Sequence, residues 1–169
     1  IQEIAERGHE VGCHSYQHEL SHRFSLDEFI ADTLKAKRLI EGVIGKKVNV
    51  FRAPGFSITK NNIWALKALA DMGFEYDCSM FPALHDYGGM PSYGEGIPKL
   101  IDLEDGRFIK EFPINIRIAG SKNIVFSGGG FFRLFPYCLI RYWAKGCQYM
   151  MTYFHPRDFD TGQPVISGL

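Results

Sequence analysis

The sequence predicts an α/β protein, a largely parallel sheet covered by helices. Three observations carry this. Helical periodicity alternates with short strand-like runs in the order α, β, α, β, α, β, loop, β, α, β, the pattern of parallel strands joined by crossover helices. The first three helical stretches each stop at a glycine, Gly8, Gly45 and Gly73, the residue that accepts the left-handed backbone beyond a helix end. Four strand runs end in a residue capable of chemistry: His14 after EVGC, Arg52 after VNVF, Asp77 after FEY and His155 after YMMTYF. Parallel strands carry their C-terminal ends to one rim, where (β/α) barrels place their active sites. That convergence favours a barrel over an open doubly wound sheet.

Each element has its own signal. Residues 1–7 read as the last turns of an amphipathic helix, with Ile1, Ile4 and Ala5 on one face. HEVGCHS is a short strand running into a loop. Ser25 caps a long helix, and Glu28 three residues on completes a capping box. Its apolar residues Leu26, Phe29, Ile30, Leu34, Ile40, Val43 and Ile44 recur at helical spacing as far as Gly45. VNVFRAPG is a strand broken by Pro54 and Gly55, and Ser57 or Thr59 opens a third helix, NNIWALKALADMG. FEYDCSMF is the next strand. Residues 81–107, rich in Pro, Gly and Tyr, lack periodicity and read as a long surface excursion, a kind of loop that is often functional. RFIKEFPI (107–114) is a strand and SGGGFFRL a glycine-rich turn. PYCLIRYWAKG is a helix with Pro136 in its first turn, and QYMMTYFHP is a last strand closed by Pro156.

At 169 residues the chain fits one domain, 1–169, long enough to bury a substantial core. Its 19 basic and 19 acidic residues cancel, and no basic tract points to nucleic acid. No stretch approaches the roughly 18 apolar residues that span a bilayer. Cys13, Cys78, Cys138 and Cys147 form no CxxC pair and no framework spacing, which favours reduced, buried thiols and a cytoplasmic setting. The chain opens on Ile1 within a helical pattern and stops on PVISGL, which reads as a domain truncated at both ends.

The pair His14 and His18 is four residues apart, close enough for both imidazoles to reach one divalent ion from a compact loop. A solvated polar turn is the competing reading, and the position after a strand end leaves the two about even. His155, between an apolar strand and Pro156, is either a satisfied core histidine or a general acid facing the rim. Asp77 is either a turn carboxylate or the acceptor that holds such an imidazole. Arg52 in FRAPGF is either a surface cation or a fixed guanidinium orienting a carboxylate or a substrate oxygen. The Pro54–Gly55 turn exposes backbone N–H groups, notably that of Gly55, suited to a developing oxyanion. SGGGFFRL lacks the GK[ST] ending of a phosphate loop and reads as close backbone packing or a substrate wall.

GHEVGCHSYQHE, FRAPGFS, YDCSMFPA and YFHPRDFD, in this order, resemble the polysaccharide deacetylases of the NodB-homology, carbohydrate esterase family four type. SGGGFFRLFPY and YFHPRDFDTGQP resemble the subgroup found with exopolysaccharide biosynthesis loci. The resemblance runs over nearly the whole chain. It implies a deformed (β/α) barrel, here incomplete for want of its first strand, and a metal-dependent hydrolase that removes N-acetyl groups from a glycan. His14 and His18 would be two ligands of a divalent metal, zinc foremost. Arg52 would position the catalytic carboxylate, Gly55 would offer the oxyanion donor, Asp77 would support the catalytic histidine, and His155 would be the general acid. The third ligand, an Asp, and the general base would come from an acidic pair upstream of Ile1, since Glu3, Glu6 and Glu10 do not match it. Two alternatives are an allantoinase-like amidohydrolase and a non-catalytic sugar-binding module. The 81–107 segment, with Tyr87 and Tyr93, suits the wall of a groove for a sugar chain.

Overall fold

The computed structural model describes residues 1–120, 122–160 and 162. Helix α1 spans Gln2–Glu6 and α2 spans Leu26–Ile44. The capping box of α2 forms as expected. Ser25 Oγ accepts the Glu28 N–H, and the Glu28 carboxylate accepts the Ser25 N–H at 2.8 Å. Gly45 closes the helix in the left-handed region at φ 67°. The buried face of α2 carries Phe29, Asp32, Thr33 and Ala36, so two polar residues sit where periodicity alone would place apolar ones. Helix α3 (Trp64–Asp71) follows a single turn opened by Thr59, and Gly73 again follows its end.

The main sheet contains β1 (Val50–Phe51), β2 (Tyr76–Asp77), β3 (Lys99–Asp102) and β4 (Phe108–Glu111), in the order β1-β2-β4-β3. Strands β1, β2 and β4 are parallel, and β3 is an antiparallel edge. Phe51 stands opposite Asp77, which stands opposite Glu111. Cys13 makes a parallel bridge to Phe51 on the other side. One row therefore runs Cys13, Phe51, Asp77, Glu111, and the residue after each member emerges at the same rim.

Aromatic packing fixes α2 and α3 on this sheet. The Phe51 ring lies 5.8 Å from that of Phe29 and 5.7 Å from that of Phe74, and Phe29 reaches Trp64 at 5.7 Å. Such edge-to-face contacts add to the area buried. Ile58, Leu66, Leu69 and Ile109 complete the main core. A second cluster, Phe56, Phe81, Ile114 and Val125, lies beyond the rim, with Tyr153 packed on it.

Several elements differ from the sequence reading. The 81–107 excursion contains β3, which turns back on β4, and Arg107 at the tip bonds Asp105 at 2.6 Å and Asp71 of α3 at 2.7 Å. Strands β5 (Ile116–Ala119) and β6 (Lys122–Val125) form an antiparallel hairpin. Most of the glycine-rich turn is helix α4 (Gly129–Leu134), followed by the expected α5 (Tyr137–Lys145) with Pro136 as its N-cap. HEVGCHS and QYMMTYFHP contribute single bridges, Cys13 to Phe51 and Gly128 to Tyr153, rather than ladders. Among the described residues the sheet is open and no barrel closes. The terminal PVISGL lies outside the described residues. No described helix is long and apolar enough to cross a membrane.

Phe51 is fully buried at the centre of the α2–sheet contact. Phe51→Ala is expected to cost about 3–5 kcal/mol of stability, as large-to-small core changes do. Urea unfolding followed by circular dichroism measures it.

Candidate active site at the sheet rim

A cleft of about 940 Å³ opens at the rim, and His14, His18, Arg52, Gly55 and His155 all line it. The residues after the row members are linked to one another across this rim. His14 Nδ1 lies 2.7 Å from the Arg52 carbonyl. A carbonyl can only accept, so this nitrogen carries the proton and Nε2 keeps its lone pair. Arg52 Nε–H donates to the Cys78 carbonyl at 3.1 Å. The His14 ring opens to the cleft while protein crowds its other sides. That desolvation lowers its pKa below the ordinary histidine value, against the raising effect of the Arg52 carbonyl. The imidazole is neutral at neutral pH, the form a metal requires.

His18 meets His14 edge to face, ring centroids 5.0 Å apart. The intervening turn is unusual: Ser15 and His18 are both left-handed, at φ 67° and 56°. The carboxylate of Asp32, from α2, accepts hydrogen bonds from Ser15 Oγ, Tyr16 N–H and Gln17 N–H. Among the described residues no group of three or more His, Cys, Asp or Glu could hold a metal.

Among the described residues Arg52 is held without a carboxylate. Besides Cys78 O it donates to Met151 Sδ at 2.8 Å and faces Thr152 O at 3.5 Å, while its guanidinium stacks 5.5 Å over Phe56. Gly55 sits at φ 59°, and a Cβ there would lie 2.8 Å from Leu20 Cδ2 and 3.0 Å from Tyr87 Cβ. Only glycine meets both constraints. No acceptor among the described residues receives its N–H. His155 caps a short turn, its side chain 54% exposed, with Nδ1 3.7 Å from Asp158 Oδ2. The carboxylate of Asp158 is held below its ordinary range, first by the His155 backbone N–H.

Asp77 lies beneath the cleft and is fully buried. The carboxylate beside His155 is Asp158, not Asp77. Asp77 accepts Ser79 Oγ–H at 2.6 Å, and Ser79 Oγ accepts the Ala53 N–H at 2.8 Å. Asp77 thus supports the Arg52–Gly55 segment from below. Its row neighbour Glu111 is also fully buried, and Glu111 Oε1 accepts the Met80 N–H at 3.0 Å. Burial first, then the charge of Asp77, push Glu111 well above the ordinary carboxyl range; burial raises Asp77 as well. Two carboxyl groups in one dry site cannot both ionise. The larger rise falls on Glu111, whose Oε2 meets no donor among the described residues. Burial also pushes the Cys13 and Cys78 thiols up to about 11, so neither is a nucleophile.

Sequence reasoning missed Asp32, Ser79 and Glu111. For two of them a signal was present. Asp32 follows Phe29 by three residues on the apolar face of α2, and Glu111 alternates in phase with buried Ile109 in FIKE. It also missed the wall built by Phe56, Phe81, His85 and Tyr153, whose rings meet at 4.7–6.5 Å. Tyr87, 58% exposed, extends this wall into the cleft.

Two cleft histidines on one loop, a rim arginine and a third histidine thus stand above the parallel sheet of an α/β protein. Residues 1–76 match the family model Polysaccharide deacetylase. Residues 78–169, more than half of the chain, match the Domain of unknown function (DUF3473), and the chain belongs to that family. No curated protein matches. Among solved structures, the chain is similar to one from Mycobacterium smegmatis assigned as a polysaccharide deacetylase. The two share 22% identity with a TM-score of 0.53 over 71% of this chain and 39% of that one. It is also similar to Puue Allantoinase, at 18% identity with a TM-score of 0.50 over 68% of this chain and 33% of that one. At these identities the likeness is one of fold. The chain spans well under half the length of either neighbour.

The shared proton makes a pH prediction. In the unfolded chain Glu111 loses its proton near pH 4.3, whereas the folded protein retains it to higher pH. Above that point the native state binds more protons than the unfolded state. Stability therefore falls with rising pH, by about 1.4 kcal/mol per unit for one retained proton, until the native pair titrates. Glu111→Gln keeps a donor toward Asp77 and an acceptor toward Met80 without titrating. Its urea-unfolding free energy is expected to lose this slope above pH 5; an unchanged slope would exclude the shared proton.

Proposed function

We propose that the protein hydrolyses the N-acetyl amide of a sugar within a glycan, releasing acetate and a free amine. The observation that carries this is the convergence on one cleft of His14, His18, Arg52, Gly55 and His155. The Polysaccharide deacetylase match and the fold neighbours support the broader class, a deacetylase or amidohydrolase acting on a carbon–nitrogen bond. The N-acetylated glycan and the metal are this proposal's own.

The residues present fit a metal. Protonated Nδ1 leaves Nε2 of neutral His14 free as a donor, and His18 stands beside it at the cleft surface. A zinc-like ion held by this pair and a further carboxylate would supply Lewis acidity for activating water and polarising the amide carbonyl. The chain's own groups do the rest. The Gly55 N–H, free of acceptors among the described residues, stabilises negative charge as it grows on the carbonyl oxygen. His155, exposed to the cleft, donates a proton to the departing amine nitrogen. Arg52, its guanidinium fixed by Cys78, Met151 and Phe56, presents a cation to orient the carboxylate that serves as base. Tyr87 and Phe154 give the cleft apolar faces for a sugar ring.

The likeness to an allantoinase favours one second reading, hydrolysis of a small amide. Assay of the full-length protein decides between them. Acetate released from N-acetylated oligosaccharides is expected, with His155→Ala lowering kcat by about 10²–10⁴-fold. Ammonia or ureido products from small cyclic amides, with no acetate, would overturn the glycan reading.

A further inference from the structure

The His14–His18 turn has no regular structure to hold it. Two of its residues, Ser15 and His18, are non-glycine residues in the left-handed region, a conformation that persists only where surroundings enforce it. What enforces it is one carboxylate. Asp32 is 5% exposed on the sheet-facing side of α2, and both of its oxygens point into the turn. Oδ2 accepts Ser15 Oγ–H at 2.7 Å and Tyr16 N–H at 2.9 Å, and Oδ1 accepts Gln17 N–H at 2.9 Å. Ser15 Oγ in turn accepts the His18 N–H at 3.1 Å. Every residue between the two histidines is thus tied to Asp32, and His18 is tied to it through one hydroxyl. His14 is anchored separately, through the Arg52 carbonyl.

We propose that Asp32 is a positioning residue that sets the separation and orientation of the His14 and His18 imidazoles, and with it their affinity for a metal. The inference rests on the reading of this pair as metal ligands. Asp32 itself lies one shell behind: it touches the turn, and it acts through Ser15 and the Tyr16 and Gln17 amides. Its charge and symmetry both matter. An asparagine can present an oxygen to only one side, so its NH2 would face either the Gln17 N–H or the Tyr16 N–H, donor against donor. One buried N–H would lose its acceptor and the turn would relax.

Co²⁺ titration of the full-length protein tests this, read by calorimetry and by the visible d–d spectrum, with wild type, His14→Ala, Asp32→Asn and Ser15→Ala compared. Ser15→Ala cuts the same link from the loop side and carries the test should Asp32→Asn fold poorly. Both variants are expected to bind Co²⁺ about 10–100-fold more weakly, the usual effect of losing an outer-shell partner, and to show a shifted d–d band. A merely structural role would lower the melting temperature and leave that band unchanged. Wild-type affinity and spectrum in either folded variant would overturn the positioning role alone. Failure of the wild-type protein to bind, or wild-type binding by His14→Ala, would overturn the metal reading beneath it.

Discussion

Cys13, Phe51, Asp77 and Glu111 lie side by side across the parallel sheet, and their register constrains everything above it. Parallel strands in register present their next residues at a common height, so His14, Arg52 and Cys78 emerge as neighbours although they are far apart in the chain. Two hydrogen bonds then link them, from the His14 ring to Arg52 O and from the Arg52 side chain to Cys78 O. A one-residue slip would turn the whole set to the opposite face. The row is pinned on one side by the aromatic stack of Phe51 with Phe29 and Phe74, and on the other by the pairing of Asp77 with buried Glu111.

The Asp77–Glu111 pair also joins the two matched segments. The Polysaccharide deacetylase match ends at residue 76 and the DUF3473 match begins at 78, inside the pairing of β2 with β4. The second segment is no appendage. It supplies the β3–β4 ladder of the same sheet, most of the aromatic wall, and the 151–155 stretch whose Met151 holds Arg52 and whose His155 lines the cleft with the histidine pair.

What was legible in the sequence was what short-range chemistry fixes. The capping box of Ser25 and Glu28, the glycine after α2 and the helical spacing of α3 and α5 are local signals, and the elements form where those signals lie. His14 and Arg52 were legible because parallel topology converts sequence position into height; with His18, Gly55 and His155 they line one cleft, and Asp77 does not. The rest depended on contacts that sequence does not display. KLID (99–102) is exposed on nearly all its residues and shows no alternation, so only its pairing with β4 makes it a strand. Of the two readings of Asp77, a turn carboxylate or the partner of a histidine, its bonds from Ser79 two residues on match the first, and it lies beside buried Glu111 in the sheet. Asp32 and Glu111 broke otherwise apolar patterns, and a polar residue on a buried face marks a specific partner more often than an accident.

The close approaches of glycine at the rim have a consequence for how such a site can change. Gly55 leaves no room for a side chain between Leu20 and Tyr87, and a Cβ on Gly88 would fall 2.1 Å from the Phe56 carbonyl. Three loops, the one after the histidine pair, the 54–56 turn and the 85–89 segment, therefore interlock like cut stones. None can lengthen or shift alone. Variation in what the cleft accepts is confined to exchanging the side chains that crown these loops, at positions 85 and 87 above all. A graft of any one loop from a relative would have to bring the other two with it.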